Sequence, residues 1–136
     1  MGSSPSEALL VAESLVQSNL KGHDSHGVGL VATYVRHFED GLLVPNTAVD
    51  LVKDDGVILM FDGRCGFGRR VGGEAIEAAV ARCAQTGVTL MTLRNSHHIG
   101  RVGAYGEIAM SAGYISMHFV NAVSYTHLRA HETNLD

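Results

Sequence analysis

Three short apolar runs, residues 57–61, 88–93 and 115–120, are separated by two helix-length stretches, and each stretch is closed by a glycine, Gly87 or Gly113. This alternation constrains the fold strongly. Strands joined in sequence through helices lie side by side in one layer, with the helices on its faces. The chain is therefore expected to be α/β. Just before the first run, residues 49–53 lead into Asp54-Asp55-Gly56, a turn sequence whose glycine supplies the positive φ of a tight hairpin. The expected architecture is N-terminal helices, a β-hairpin and a βαβαβ layer.

The helical N-terminus starts at Ser4-Pro5-Ser6-Glu7, a capping box with proline at the first helical position. Leu9, Ala12, Leu15, Val16 and Leu20 form its expected buried stripe, and Lys21-Gly22 ends it. A second helix is expected over residues 28–39, stopped by Gly41 and kept from restarting by Pro45. Two more are expected over 71–86 and 102–112. With 136 residues, 46% of them apolar, the chain can bury one modest core and needs no second domain.

A formal charge of −4, with no basic stripe, argues against a nucleic-acid partner. No apolar run approaches the roughly 18 residues of a membrane span, and no leader-like pattern opens the chain, so no membrane partner is expected. Cys65 and Cys83 lack metal-ligand spacing, and Cys83 falls on an apolar helix face. A reducing cytoplasm is the expected compartment.

Chemistry concentrates in two loops, Ser25-His26-Gly27 and Asn95-Ser96-His97-His98-Ile99-Gly100. Imidazole exchanges a proton near neutral pH, and Ser25, Asn95 and Ser96 can orient it or bind a substrate oxygen. From the residue pattern alone, an acid/base centre and two structurally bonded loops stand level. The glycine-rich passage through Gly63, Gly66, Gly68, Gly72 and Gly73 misses the dinucleotide fingerprint, because Val71 holds the place of its third glycine. His23, His26, His97, His98 and His118 lack carboxylate or thiolate at ligand spacing, so no metal is expected. His118 reads as a core histidine in a strand, and His37 as a solvated helix residue.

Taken together, Gly22 to Gly27, Tyr34, the glycine-rich passage, Gly87-Val88, Asn95 to Gly100 and Gly103-Ala104-Tyr105 resemble the malate/L-lactate dehydrogenase family of the non-Rossmann type. Its relatives act on sulfolactate, ureidoglycolate, 2,3-diketogulonate and cyclic imino acids. The resemblance covers about residues 6–122. It implies a truncated part of a non-Rossmann NAD(P)-dependent dehydrogenase fold, acting on a small 2-hydroxy or 2-oxo acid with NAD or NADP, and a homodimer. Carried across, His26 matches the proton donor, Ser25 would bond the same substrate oxygen, and His98 rather than His97 would line the pocket and assist proton transfer. Asn121 resembles an asparagine near the cofactor. Many relatives have a carboxylate-clamping arginine where this chain has Leu30.

Residues 123–133 read Val-Ser-Tyr-Thr-His-Leu-Arg-Ala-His-Glu-Thr, which resembles a transposase-type sequencing adapter translated in one frame. Residues 1–122 are accordingly expected to be an N-terminal dehydrogenase fragment unable to run the reaction alone, and 123–136 a read-through tail. His127, Arg129 and His131 then carry no function. The competing readings are a metal-dependent hydrolase, which metal analysis after chelation would separate, and a non-catalytic helical binding module, whose full-length parent would bind no nicotinamide.

Overall fold

The computed structural model describes residues 1–121, so the boundary at 122 and the expected tail lie outside the described residues. Four helices and three strands follow in the order α1 (Pro5–Leu20), α2 (Val31–Glu39), β1 (Asp50–Asp55), β2 (Ile58–Asp62), α3 (Gly68–Thr86), β3 (Leu90–Arg94) and α4 (Gly103–Ser111). Short 3-10 turns, Asp24–His26 and Val28–Leu30, link α1 to α2. β1 pairs antiparallel with β2, and β2 pairs parallel with β3. The Asp-Gly hairpin forms as expected, with Gly56 at φ 59°.

The third strand of the expected βαβαβ layer does not form: residues 114–121 are outside regular structure. Their side chains alternate as in a strand. Ile115, Met117 and Phe119 are exposed while Tyr114, Ser116 and His118 are half-buried. A strand is defined by its ladder, and the backbone of residues 115–121 pairs with no neighbour among the described residues; alternation alone could not supply one. The expected core role of His118 falls with the strand, and its Nε2 lies 2.9 Å from the Ser116 hydroxyl instead.

β2 supplies Leu59 and Phe61 to one face of the sheet, where they meet Ala75 of α3. A second cluster joins Leu15, Tyr34, Leu43 and Phe67, with Val11 and Leu30 against it, and a third joins Ile76, Ala79 and Tyr105. These clusters hold α1, α2 and α4 around α3, and the two histidine loops emerge between them.

The buried face of α1 differs from the expected stripe. Glu7, Leu15 and Ser18 are buried, with Val11 beside them, whereas Leu9 is 60% and Leu20 74% exposed. Both sets have helical spacing, so periodicity could not choose between them. The buried charge decides the rotation: Glu7 accepts from the Arg70 guanidinium at 3.0 Å and from the Asn46 backbone N–H at 2.7 Å. Arg70 in turn donates to Glu74 at 3.0 Å, and Glu74 accepts from the Val49 N–H. Ser4 caps the helix as expected by accepting from the Glu7 N–H, but Glu7 does not reach back.

Glu7→Ala should therefore destabilise the chain by about 2 kcal/mol, below the cost of breaking a fully buried pair because Arg70 is a quarter exposed. Glu7→Gln keeps an acceptor for Asn46 and should cost less. Denaturant unfolding of the two variants checks the order.

Candidate active site

The first histidine loop is ordered by Asn19, in the last turn of α1. Its Oδ1 accepts from the Val28 N–H at 2.8 Å, and its Nδ2 donates to Asp24 Oδ1 at 2.5 Å. A Cβ at residue 27 would overlap this amide, so glycine there is a packing requirement. The turn Asp24–His26 presents His26 half-buried, with the Ser25 hydroxyl 2.9 Å from its Nδ1. Asn19 lay hidden in sequence because nothing in a helical pattern distinguishes an asparagine that bonds forward into the next loop.

The second loop follows β3 and lies against the glycine-rich passage. The Gly63 N–H donates to Arg94 O, the Cys65 N–H to Asn95 O and the His97 N–H to Gly66 O, at 2.8, 2.7 and 3.1 Å. Asn95, at φ 50°, turns the chain, and its side chain donates to Asp62 rather than to an imidazole. The N–H of Arg64 foremost, then Asn95 and Arg94, hold the Asp62 carboxyl below its ordinary range. Ser96 donates to the His97 carbonyl at 2.6 Å. Two of the three expected orienting side chains are thus engaged away from the imidazoles, Asn95 on Asp62 of β2 and Ser96 on the loop's own backbone. Tyr105 of α4, 2.5 Å from the Ile99 carbonyl, fastens the far end by donating to it.

The loops bring His26 and His98 together, with ring centroids 5.1 Å apart and planes inclined by 36°. His98 Nδ1 is 2.8 Å from the Tyr34 hydroxyl. His97 turns the other way: its Nε2 lies 2.8 Å from His37 Nδ1, and its ring meets Tyr34 edge-on at 5.1 Å. His37 is therefore half-buried and bonded, correcting the solvated reading. The two adjacent histidines point to different neighbours, which a sequence cannot reveal.

Burial sets the protonation of this cluster. Desolvation, reinforced by His37 and His98, pushes His97 down to about 4, and desolvation with His26 nearby lowers His98. Burial pushes the Tyr34 phenol up to about 12. Both lowered imidazoles are neutral at pH 7, so the folded state takes up fewer protons than the unfolded one below histidine's ordinary pKa of about 6.5. The stabilisation is fully present above that value and is lost as pH falls toward about 4. For His97 the loss should be on the order of 2 kcal/mol. Comparing unfolding at neutral and acidic pH checks this, and His97→Asn should flatten the difference.

The other expected residues stand apart. Asn121 is exposed and makes no side-chain hydrogen bond among the described residues. Leu30 packs against the cluster of Leu15, Tyr34, Leu43 and Phe67. Cys65 is exposed and Cys83 half-buried. Among the described residues no three histidine, cysteine, aspartate or glutamate side chains converge on a common point.

The glycine-rich passage packs against the rest of the chain. A Cβ at Gly68 would overlap the His97 and His98 carbonyls, and one at Gly72 would come within 2.9 Å of the Tyr105 ring. At these two glycines the space beside the backbone is filled by the chain's own loop and helix.

The sequence model of the malate/L-lactate dehydrogenase family matches residues 1–131. Hydroxycarboxylate dehydrogenase B of Escherichia coli is 42% identical over 123 residues, 90% of this chain and 34% of that protein. L-lactate dehydrogenase of Cupriavidus necator is 40% identical over 84% of this chain and 33% of its own length. Among solved structures, sulfolactate dehydrogenase from Methanocaldococcus jannaschii superposes with a TM-score of 0.77 at 33% identity, covering 81% of this chain and 32% of that one. The chain spans about a third of the length of these relatives. With its motifs, its mixed α/β fold and these matches in agreement, the chain belongs to the malate/L-lactate dehydrogenase family.

Proposed function

We propose that the full-length protein carrying this chain is a nicotinamide-dependent oxidoreductase that interconverts small 2-hydroxy and 2-oxo acids, and that this chain supplies the proton-handling side of its site. The observation that carries this reading is the approach of the His26 and His98 rings to 5.1 Å, each with Nε2 unpaired among the described residues. In reduction, protonated His26 gives its proton to the oxygen on which charge develops; in oxidation, neutral His26 takes the hydroxyl proton. Ser25, at Nδ1, orients the ring and can also reach a substrate oxygen. His98, neutral at pH 7, positions the same oxygen by hydrogen bonding.

NAD or NADP, when bound, supplies or accepts the hydride at C2. Asn121 is proposed to approach it, and the rest of its site to lie in the length that the relatives have and this chain does not span. Leu30 leaves the substrate carboxylate to another residue or marks a substrate different from that of the arginine-bearing relatives, so the identity of the acid stays open. Cytoplasmic location, homodimeric assembly and the absence of nucleic-acid or membrane partners complete the proposal; none of the described helices is long and apolar enough to cross a membrane.

Initial rates with a panel of 2-oxo acids and NADH or NADPH test the reading in the full-length protein. Substrate-dependent loss of reduced nicotinamide is expected; no turnover with any member would sink it. The 136-residue chain alone is expected to show no saturable nicotinamide binding in calorimetric titration. Residues 123–136 are proposed to be read-through: codons for 123–133 should reproduce the adapter base for base, and codons that break this identity would make the segment biological.

A further inference from the structure

Tyr34 is buried, and its hydroxyl has His98 Nδ1 at 2.8 Å as its one hydrogen-bond partner among the described residues. The direction of that bond follows from what each alternative leaves unpaired. If Nδ1 carried a proton and donated, the phenol proton of this largely buried residue would have no acceptor among the described residues, at a desolvation cost. If the phenol donates, the hydroxyl and Nδ1 satisfy each other, and the donor left over is an Nε2–H that is not among the fully buried unpaired atoms. The imidazole proton then has to reside on Nε2.

The surroundings hold this arrangement in place. The Tyr34 ring packs edge-on against Phe67, at 5.9 Å between centroids, and against His97. The ring on α2 is thus held by Phe67 on one side and by the second histidine loop itself on the other. The His98 backbone is confined from the other side, because its carbonyl closes on Gly68. Nε2 of His98 has no partner among the described residues and is not among the fully buried unpaired atoms.

We propose that Tyr34 is a positioning residue that locks His98 as the Nε2–H tautomer, so that His98 presents a hydrogen-bond donor to the substrate oxygen beside His26. Resting on the proposed function, this divides the labour between the two imidazoles. His26 moves the proton, and His98 donates a hydrogen bond without changing its protonation. A phenol donating to Nδ1 favours the neutral ring, in keeping with the lowered pKa of His98. The titratable groups facing His98 are Tyr34 from α2 and His26 from the first loop, with His97 adjacent in the chain.

Nitrogen-15 NMR of the imidazoles in this 136-residue chain reads the tautomer directly and without reference to any reaction. A single Nε2–H form of His98 is expected at neutral pH. Tyr34→Phe, which removes one oxygen and keeps the ring, should give a mixture of tautomers and move His98 protonation to higher pH. A wild-type Nδ1–H form, or a tautomer unchanged in Tyr34→Phe, overturns the proposal. Should Tyr34→Phe fail to fold, 3-fluorotyrosine at position 34 keeps the bond with a stronger donor and should shift His98 protonation to lower pH; no shift would count equally against it. In the full-length enzyme Tyr34→Phe should lower kcat about tenfold, the effect of one ordinary hydrogen bond, with KM little changed. Absence of nicotinamide turnover in the wild type would refute the proposed function while leaving the tautomer result standing.

Discussion

Replacing His26 with alanine in the full-length protein is expected to lower turnover by about 10²–10⁴-fold, the usual contribution of a positioned acid/base, while leaving nicotinamide affinity nearly unchanged. The split between the two readouts is the informative part. His26 sits on the loop between α1 and α2, held by Ser25 and ordered through Asn19, and its proposed role is to move a proton rather than to bind the dinucleotide. His98→Ala should also be impaired. His97→Ala should be impaired less, because His97 is turned toward His37 and away from His26. Near wild-type turnover in His26→Ala would remove its role, and a larger loss for His97 than for His98 would mean that the wrong member of the pair had been assigned.

Gly68→Ala is expected to cost about 3 kcal/mol, the upper end for overpacking, because the added methyl meets two backbone carbonyls rather than a side chain able to move aside. One of those carbonyls belongs to His98, so the strain falls on the site itself. The variant should lose stability and, in the full-length protein, activity beyond what the remaining folded fraction explains. Denaturant unfolding beside activity per folded molecule checks both. A fully stable Gly68→Ala would show that the second loop is looser against α3 than the packing indicates.

These two residues also mark what could be read from sequence. The Asp-Gly hairpin, the glycine stops of α3 and α4 and the position of β3 were legible because turn chemistry is local. The rotation of α1 was not, since two faces share helical spacing and a salt link to Arg70 more than sixty residues away decides between them. Residues 115–120 show the opposite limit, a strand's alternation without a partner to pair with.

In the candidate site, His26, Ser25 and His98 were legible as chemical types on loops, and family resemblance chose His98 over its neighbour. The support from Asn19, the Tyr34 bond and the His37–His97 pair was not legible. Each depends on which way one side chain points across a tertiary gap. The glycine-rich passage failed as a cofactor fingerprint in sequence because of Val71, and in the structure Gly68 and Gly72 admit the histidine loop and Tyr105.

The most direct test is kcat/KM against pH, measured in both directions for the wild-type full-length enzyme and for His26→Gln. Reduction of the 2-oxo acid needs the protonated imidazole and oxidation of the 2-hydroxy acid the neutral one, so the wild-type limbs should run in opposite senses, reduction falling and oxidation rising as pH increases. His26→Gln should lower both rates and abolish the opposed limbs. Opposed limbs that persist unchanged in His26→Gln would contradict the assignment of His26 as the group that moves the proton.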